Sequence, residues 1–161
     1  MFRNVLTISV LVIALLSGCT EKGAQRDRHA ADFTLQDMSG KSITLSDYKG
    51  KVVVLEFWAT WCPPCRASVP GLEKLHTTFK DKGVAVLAVS VDQGGWDEVR
   101  SFIASNGITY TVLKGTDDVA AEYQVRSIPM LLVIDKQGNI AKRYLGMGYD
   151  DELEKDIKAY L

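Results

Sequence analysis

Apolar and polar residues alternate in two short segments near the start of the predicted domain. Residues 32–35 and 42–45 each place every second side chain on an apolar face, which is the period of a half-buried β-strand. Met38-Ser39-Gly40-Lys41 between them has the composition of a turn. The pattern therefore predicts a β-hairpin, which we expect to pack on the edge of the fold.

Two longer segments, residues 52–58 and 84–91, are almost entirely apolar and rich in β-branched side chains. Such runs are typical of parallel strands covered on both faces of a sheet. After each run, apolar residues recur every three or four positions, as on the buried face of a helix. They are Val69, Leu72, Leu75 and Phe79 after the first run, and Trp96, Val99, Phe102 and Ile103 after the second.

The second half of the chain predicts a short strand and helix, then a hairpin and a final helix. The expected elements are a strand at 109–113, a helix at 117–123, strands at 131–134 and 140–145, and a last helix that Asp150 caps. Asp135 and Gly138 favour a tight turn between the two later strands, because Asp can bond its own backbone and Gly tolerates positive φ. A β-α-β unit is thus followed by a β-β-α unit.

The composition is that of one soluble globular domain, with 47% hydrophobic and 24% charged residues. The 19 basic and 20 acidic residues give a net charge of -1, and the basic ones are scattered along the chain. This distribution indicates neither a nucleic-acid partner nor a polybasic membrane surface. We expect a monomer.

The N-terminal segment resembles a bacterial lipoprotein signal. An apolar run at residues 5–16 is too short for a comfortable membrane span, and Leu16-Ser17-Gly18-Cys19 follows it directly. We expect residues 1–18 to be a signal peptide, residues 19–31 the lipidated Cys19 with a flexible tether, and residues 32–161 the folded domain. A simple secretory signal and an uncleaved anchor helix are the alternatives. Lipidation would hold the domain outside the cytosol, on a bacterial membrane facing the periplasm or the cell exterior, where disulfides persist.

Cys62-Pro63-Pro64-Cys65 lies where the first apolar run meets the first helix. A helix N-terminus favours a thiolate, so Cys62 is the predicted nucleophile and Cys65, one turn deeper, the resolving cysteine. Zinc usually requires two ligand pairs, and three cysteines with two histidines supply no second pair. Together with the order of elements, the motif predicts an α/β thioredoxin fold, with a central mixed sheet flanked by helices. We expect no cofactor and no metal beyond a redox-active Cys62–Cys65 disulfide.

Glu56 and the Ile128-Pro129 pair are further candidate site residues. A carboxylate in a buried strand needs a partner or a task, and we expect Glu56 to have a raised pKa and to accept the proton of Cys65. A cis bond before Pro129 would expose the Ile128 backbone to an extended substrate, although the local sequence favours the ordinary trans bond. Trp61, beside Cys62, completes the expected substrate-binding set.

Residues 32–161 resemble the TlpA/ResA-like branch of the thioredoxin superfamily. The matching stretches are Phe57-Trp58-Ala59-Thr60-Trp61-Cys62-Pro63-Pro64-Cys65, Tyr123-Gln124-Val125-Arg126-Ser127-Ile128-Pro129 and Val133-Ile134-Asp135-Lys136-Gln137-Gly138. The resemblance implies that Pro129 is cis and faces the cysteines, and that residues 96–125 include a central insertion. It also implies electrons from a membrane thiol transporter, and clients that are disulfide-containing exported proteins, including apocytochrome c before haem attachment.

Two positions depart from this branch. Several cytochrome-maturation members have a carboxylate where this chain has Ser68, and many have Asn in place of Glu56, which instead resembles the buried Asp of cytosolic thioredoxins. Two other functions stay open at this point. A thioredoxin-fold copper chaperone would use Cys62, Cys65 and His76, and a peroxiredoxin-like peroxidase would need a Pro before Cys62 that the preceding residues lack.

Overall fold

The computed structural model describes residues 28–161, so the predicted signal peptide and Cys19 lie outside the described residues. Seven strands and four α-helices make up the described part of the chain. In order they are β1 (Thr34–Gln36), β2 (Ser42–Thr44), β3 (Val52–Trp58), α1 (Pro63–Phe79), β4 (Val84–Ser90), α2 (Asp97–Asn106), β5 (Thr111–Lys114), α3 (Asp117–Glu122), β6 (Met130–Ile134), β7 (Ile140–Leu145) and α4 (Asp150–Tyr160).

Five strands form a mixed sheet in the order β5-β4-β3-β6-β7. Strands β3, β4 and β5 are parallel, whereas β6 is antiparallel to both β3 and β7. The predicted thioredoxin arrangement is confirmed. The predicted N-terminal hairpin is also confirmed as the β1-β2 pair, and a bridge between Asp37 and Leu113 places it beside the edge strand β5. Residues 96–125, the expected insertion, hold α2, β5 and α3.

Strand β3 is the centre of the sheet, and all seven of its residues are buried. Its side chains alternate between two apolar clusters on opposite faces. Val54 and Trp58 pack with residues of α1, α2 and α4, including Leu72, whereas Phe57 packs on the other face with Tyr123. By this alternation Glu56 faces α1.

The functional end of the sheet is set by strand register. Phe57 near the end of β3 lies opposite Met130 at the start of β6, and Met130 lies opposite Leu145 at the end of β7. The segments that follow β3, precede β6 and follow β7 therefore meet at one edge. These three segments carry Cys62, Pro129 and Gly146.

Some predicted boundaries are wrong by one or two residues. The strand expected at 109–113 runs Thr111–Lys114, and the N-cap of α4 is Tyr149, so Asp150 is its first helical residue and makes no capping bond. The Asp150 carboxylate instead lies against Gly71 of α1. Such contacts depend on the neighbouring helix, which local sequence does not specify.

The packed domain begins earlier than the predicted boundary at residue 32. Ala30 is buried and its N–H donates to Gly138 O at 2.9 Å, while Ile140 N–H donates to Arg28 O. Residues 28–31 thus form an additional backbone contact with the turn between β6 and β7, although their polar composition suggested a tether. Within residues 28–161, no helix is both long and apolar enough to cross a membrane.

The close contact between Gly115, after β5, and the Ser90 carbonyl at the end of β4 can be tested by substitution. The Gly115 N–H donates to Ser90 O at 2.8 Å, and a Cβ added to Gly115 would lie 2.6 Å from that backbone oxygen. Because the carbonyl cannot rotate away, Gly115→Ala should lower the free energy of unfolding by about 1–3 kcal/mol, measured in urea.

Gly71→Ala is the matched control for this substitution. A Cβ there would meet the Asp150 carboxylate at 2.6 Å, but that group is the movable end of a side chain. Alanine also favours a helix by about 1 kcal/mol over glycine, so Gly71→Ala should be neutral or stabilising. Equal losses of stability in the two variants would show that the close approach at Gly115 is unimportant.

Candidate active site

Cys62 and Cys65 form a disulfide at the N-terminus of α1. Cys62 is the N-cap of the helix, and Pro63 and Pro64 occupy its first turn. Prolines have no N–H, so the first amide able to approach the N-cap sulfur is that of Cys65, and it donates to Cys62 Sγ at 3.3 Å. The backbone thus directs a hydrogen-bond donor at one of the two sulfurs.

Cys62 is less accessible than its place at a helix end suggested. Only 3% of the residue is exposed, compared with 1% of Cys65. Cys62 Sγ lies 3.8 Å from the carbonyl oxygen of Ile128, so the loop before β6 approaches this sulfur directly. The structure therefore brings Cys62 and Ile128 together across the end of the sheet.

The peptide bond between Ile128 and Pro129 is cis. The expectation drawn from the family resemblance is confirmed, and the trans bond favoured by local sequence is wrong. The difference has a physical reason: the intrinsic preference for trans before proline is only about 0.5–1 kcal/mol, so packing around the bond can reverse it.

An exposed apolar surface surrounds this loop. Trp61 is 64% exposed, and Leu145 and Met147 are 54% and 52% exposed. The Gly146 N–H donates to Pro129 O at 2.9 Å, which places Leu145 and Met147 next to the cis bond. Sequence reasoning identified Trp61 but missed the other two, because only the pairing of β6 with β7 brings them here.

Glu56 is buried, with 1% of its surface exposed. Burial raises the pKa of its carboxyl to about 8, while a hydrogen bond from Ser68 opposes that rise. Ser68 Oγ lies 3.1 Å from Glu56 Oε1 and 2.8 Å from Cys65 O. The Ser68 hydroxyl thus connects the buried carboxyl with the backbone carbonyl of Cys65, a connection that sequence reasoning missed although Ser68 is one helical turn after Cys65.

Asp92 holds the segment between β3 and the cysteines. Its carboxylate accepts from the Thr60 N–H at 3.0 Å, from the Thr60 hydroxyl at 2.5 Å and from the Ser90 hydroxyl at 2.8 Å. These bonds tie the residues before Trp61 and Cys62 to the end of β4. An acidic residue directly after a buried strand was the sequence signal for this contact.

His76 does not join the cysteines. Its ring packs edge-on against Tyr110 at a centroid distance of 6.3 Å, and its Nδ1 atom is buried without a hydrogen-bond partner. Across residues 28–161, no three His, Cys, Asp or Glu side chains come together as a metal site would require. The geometry gives no support to the copper-chaperone alternative.

Known proteins resemble this chain over most of its length. Residues 27–143 match the AhpC/TSA family. The chain is 37% identical to the thioredoxin-like protein YneN of Bacillus subtilis (strain 168) over 139 residues, covering 85% of this chain and 81% of that protein. It is 31% identical to the thiol-disulfide oxidoreductase ResA of Bacillus anthracis over 171 aligned positions, covering 98% of each.

A solved structure from Chlorobium tepidum, assigned as the thiol:disulfide interchange protein DsbE, matches the fold with a TM-score of 0.78. The two chains are 32% identical, and the match covers 83% of this chain and 95% of that one. Thiol-disulfide exchange requires a reactive cysteine pair, and this chain has one at the N-terminus of α1. The chain therefore belongs to the AhpC/TSA family of thioredoxin-fold proteins and, within it, to the ResA-like thiol-disulfide oxidoreductases.

Proposed function

We propose that this thiol-disulfide oxidoreductase works outside the cytosol as a reductase of disulfides in exported proteins. The observation that carries the proposal is the arrangement around Cys62, whose sulfur accepts a backbone N–H from Cys65 and faces the Ile128 carbonyl. Relatives named for thiol-disulfide exchange, ResA and the DsbE-type structure, support this reaction over metal transfer or peroxide reduction.

Cys62 begins the reaction. In the reduced protein its thiolate, favoured by the helix N-terminus, attacks one sulfur of a substrate disulfide and releases the other as a thiolate. Cys65 then attacks Cys62 Sγ in the mixed disulfide, which frees the second substrate sulfur. The substrate gains two electrons and two protons, and the enzyme is left with the Cys62–Cys65 disulfide.

Ile128 and its neighbours receive the substrate. An extended peptide can pair with the Ile128 backbone next to Cys62, while Trp61, Leu145 and Met147 offer exposed apolar contacts on either side. The buried Pro129 shapes the loop that carries Ile128. Backbone pairing with apolar contacts suits unfolded polypeptides of varied sequence. This is the form in which exported proteins present unwanted disulfides.

Glu56 accepts the proton of Cys65 as that thiol attacks. A carboxyl with a pKa of about 8 is a stronger base than an ordinary glutamate and exchanges protons near neutral pH. Its burial on the α1 face of β3 and its link to Cys65 through Ser68 support this role.

The cellular setting of the proposal comes from the sequence. Cys19 would carry the lipid that anchors the domain to the membrane, and a membrane thiol transporter would return electrons to the Cys62–Cys65 disulfide. Apocytochrome c before haem attachment is a candidate client. The protein would act as a monomer without nucleic acid.

Trapping the mixed disulfide tests the order of the two cysteines. A Cys65→Ser variant should accumulate a covalent complex with an unfolded disulfide-bonded polypeptide, because nothing resolves it. Cys62→Ser should accumulate far less, because Cys62 is the cysteine whose sulfur lies against the Ile128 carbonyl, where the substrate would pair. Mass spectrometry without reductant measures both, and an equal yield of complex from the two variants would reverse or abolish the assigned order.

Replacement of Glu56 tests the assigned base. Glu56→Gln should slow resolution of the mixed disulfide by about a hundredfold while leaving the first attack by Cys62 nearly unchanged. In the wild-type protein the resolution rate should rise with pH up to about 8, as Glu56 loses its proton, and this rise should vanish in the variant. Stopped-flow fluorescence at Trp61 follows both steps.

Glu73→Gln is the control for the Glu56 substitution. It changes another glutamate on the α1 side of the sheet, one that accepts hydrogen bonds from Thr109 and lies away from the cysteines in the chain. This variant should keep the wild-type pH profile. If Glu56→Gln slowed both chemical steps to the same extent, Glu56 would have a structural role instead.

A further inference from the structure

The Ser68 hydroxyl lies between two oxygen acceptors. Its Oγ is 3.1 Å from Glu56 Oε1 and 2.8 Å from the Cys65 carbonyl oxygen. A hydroxyl has one proton and two lone pairs, so it cannot donate fully to both oxygens at once. Which oxygen receives its proton therefore depends on whether Glu56 is ionised.

The two protonation states give two different hydrogen-bond chains. When Glu56 is protonated, its acid O–H can donate to Ser68 Oγ while Ser68 donates to Cys65 O, and each polar atom has a partner. When Glu56 is ionised, the Ser68 proton turns to the carboxylate, since a charged acceptor forms the stronger bond. Ser68 can accommodate both states by rotation about one bond.

Ser68 also lies between Glu56 and the surface. Glu56 is almost fully buried in β3, flanked in the sheet by Ala88 and Leu131, whereas Ser68 is only partly buried on α1. The titratable group that interacts with Glu56 is the buried Tyr110 phenol before β5, whose pKa the Glu56 charge helps to raise. Within residues 28–161, Ser68 is the hydrogen-bond partner of the Glu56 carboxyl.

We propose that Ser68 is a positioning residue, whose hydroxyl holds the Glu56 carboxyl and favours its ionised, proton-accepting form during resolution. This inference rests on the proposed role of Glu56 as the base.

Ionised Glu56 takes the proton of the Cys65 thiol as Cys65 Sγ bonds to Cys62 Sγ. The bond between Cys62 and the substrate sulfur breaks, and the departing substrate thiolate takes a proton from water. Glu56 later loses this proton to solvent, and the carboxylate is restored for the next turnover.

The test is the pH profile of mixed-disulfide resolution in single turnovers. Ser68→Ala should fold, because alanine is the best helix former. Losing the hydrogen bond that favours the carboxylate should move the rising part of the profile to higher pH. If the profile moves by about one pH unit, the resolution rate at neutral pH should be about tenfold slower than in the wild-type protein. The resolution rates of the two proteins should become equal at alkaline pH.

Two further variants distinguish the effect of the Ser68 hydroxyl from a general effect of changing a serine in a helix. Ser68→Thr keeps the hydroxyl and should restore the wild-type profile to within about threefold, the loss that a modest change in hydrogen-bond geometry causes. Ser101→Ala removes an equivalent bond, from Ser101 Oγ to Asp97 O at 2.8 Å in α2, and should change nothing. A Ser68→Ala profile that matches the wild type, or that is lower by one factor at every pH, would overturn the proposal. So would a Ser68→Thr variant as slow as Ser68→Ala.

Glu56→Gln in the same assay distinguishes a failure of the Ser68 inference from a failure of the proposed role of Glu56 as the base. If Glu56→Gln abolishes the rise of the rate with pH while Ser68→Ala shows that rise at the same pH as the wild-type protein, the Ser68 inference alone fails. If Glu56→Gln keeps the rise, the base itself is wrongly assigned and the Ser68 inference falls with it. Combining Glu56→Gln with Ser68→Ala should slow resolution no further than Glu56→Gln alone, because Ser68 acts through the Glu56 carboxyl.

Discussion

Strand β3 is hydrogen-bonded on both edges and buried on both faces, and this constraint determines where the reactive residues lie. Because β4 is parallel and β6 antiparallel to it, the end of β3 is adjacent to the end of β4 and the start of β6. Asp92 at the end of β4 holds Thr60, and the Ile128-Pro129 loop before β6 approaches Cys62. The sheet therefore brings three distant segments of sequence to one disulfide.

The same burial makes Glu56 chemically unusual. A carboxyl group in the centre of an apolar strand is disfavoured in its charged form, and Ser68 provides only partial compensation. Below its ordinary pKa of 4.5 the group is neutral in the folded and unfolded protein alike. Between pH 4.5 and the folded value of about 8 the unfolded chain is ionised while the native carboxyl keeps its proton, so the native state loses stability across this range and no further above it. The fold thus gives up some stability at higher pH by burying this carboxyl in β3.

The strands and the cysteine pair were predictable because their signals are local. The apolar run of β3 matches the strand from Val52 to Trp58, and the motif at its end needs no distant partner to be noticed. The cis bond before Pro129 was not predictable from its neighbours, since packing reverses a small intrinsic preference. Leu145 and Ser68 were missed for a related reason: their importance comes from a strand pairing and a hydrogen bond to residues far away in the sequence. Residues 28–31 show the converse, because a polar segment became ordered by backbone bonds to a turn.

A disulfide reductase requires that the Cys62–Cys65 pair gives electrons to substrates and does not take them from substrates. Equilibrating the protein with glutathione or dithiothreitol buffers of known ratio, and counting free thiols, gives the reduction potential of the pair. A disulfide reductase should have a potential near that of thioredoxin, about -270 mV. A value near that of the strong oxidant DsbA, about -120 mV, would contradict the proposed direction and indicate an enzyme that introduces disulfides.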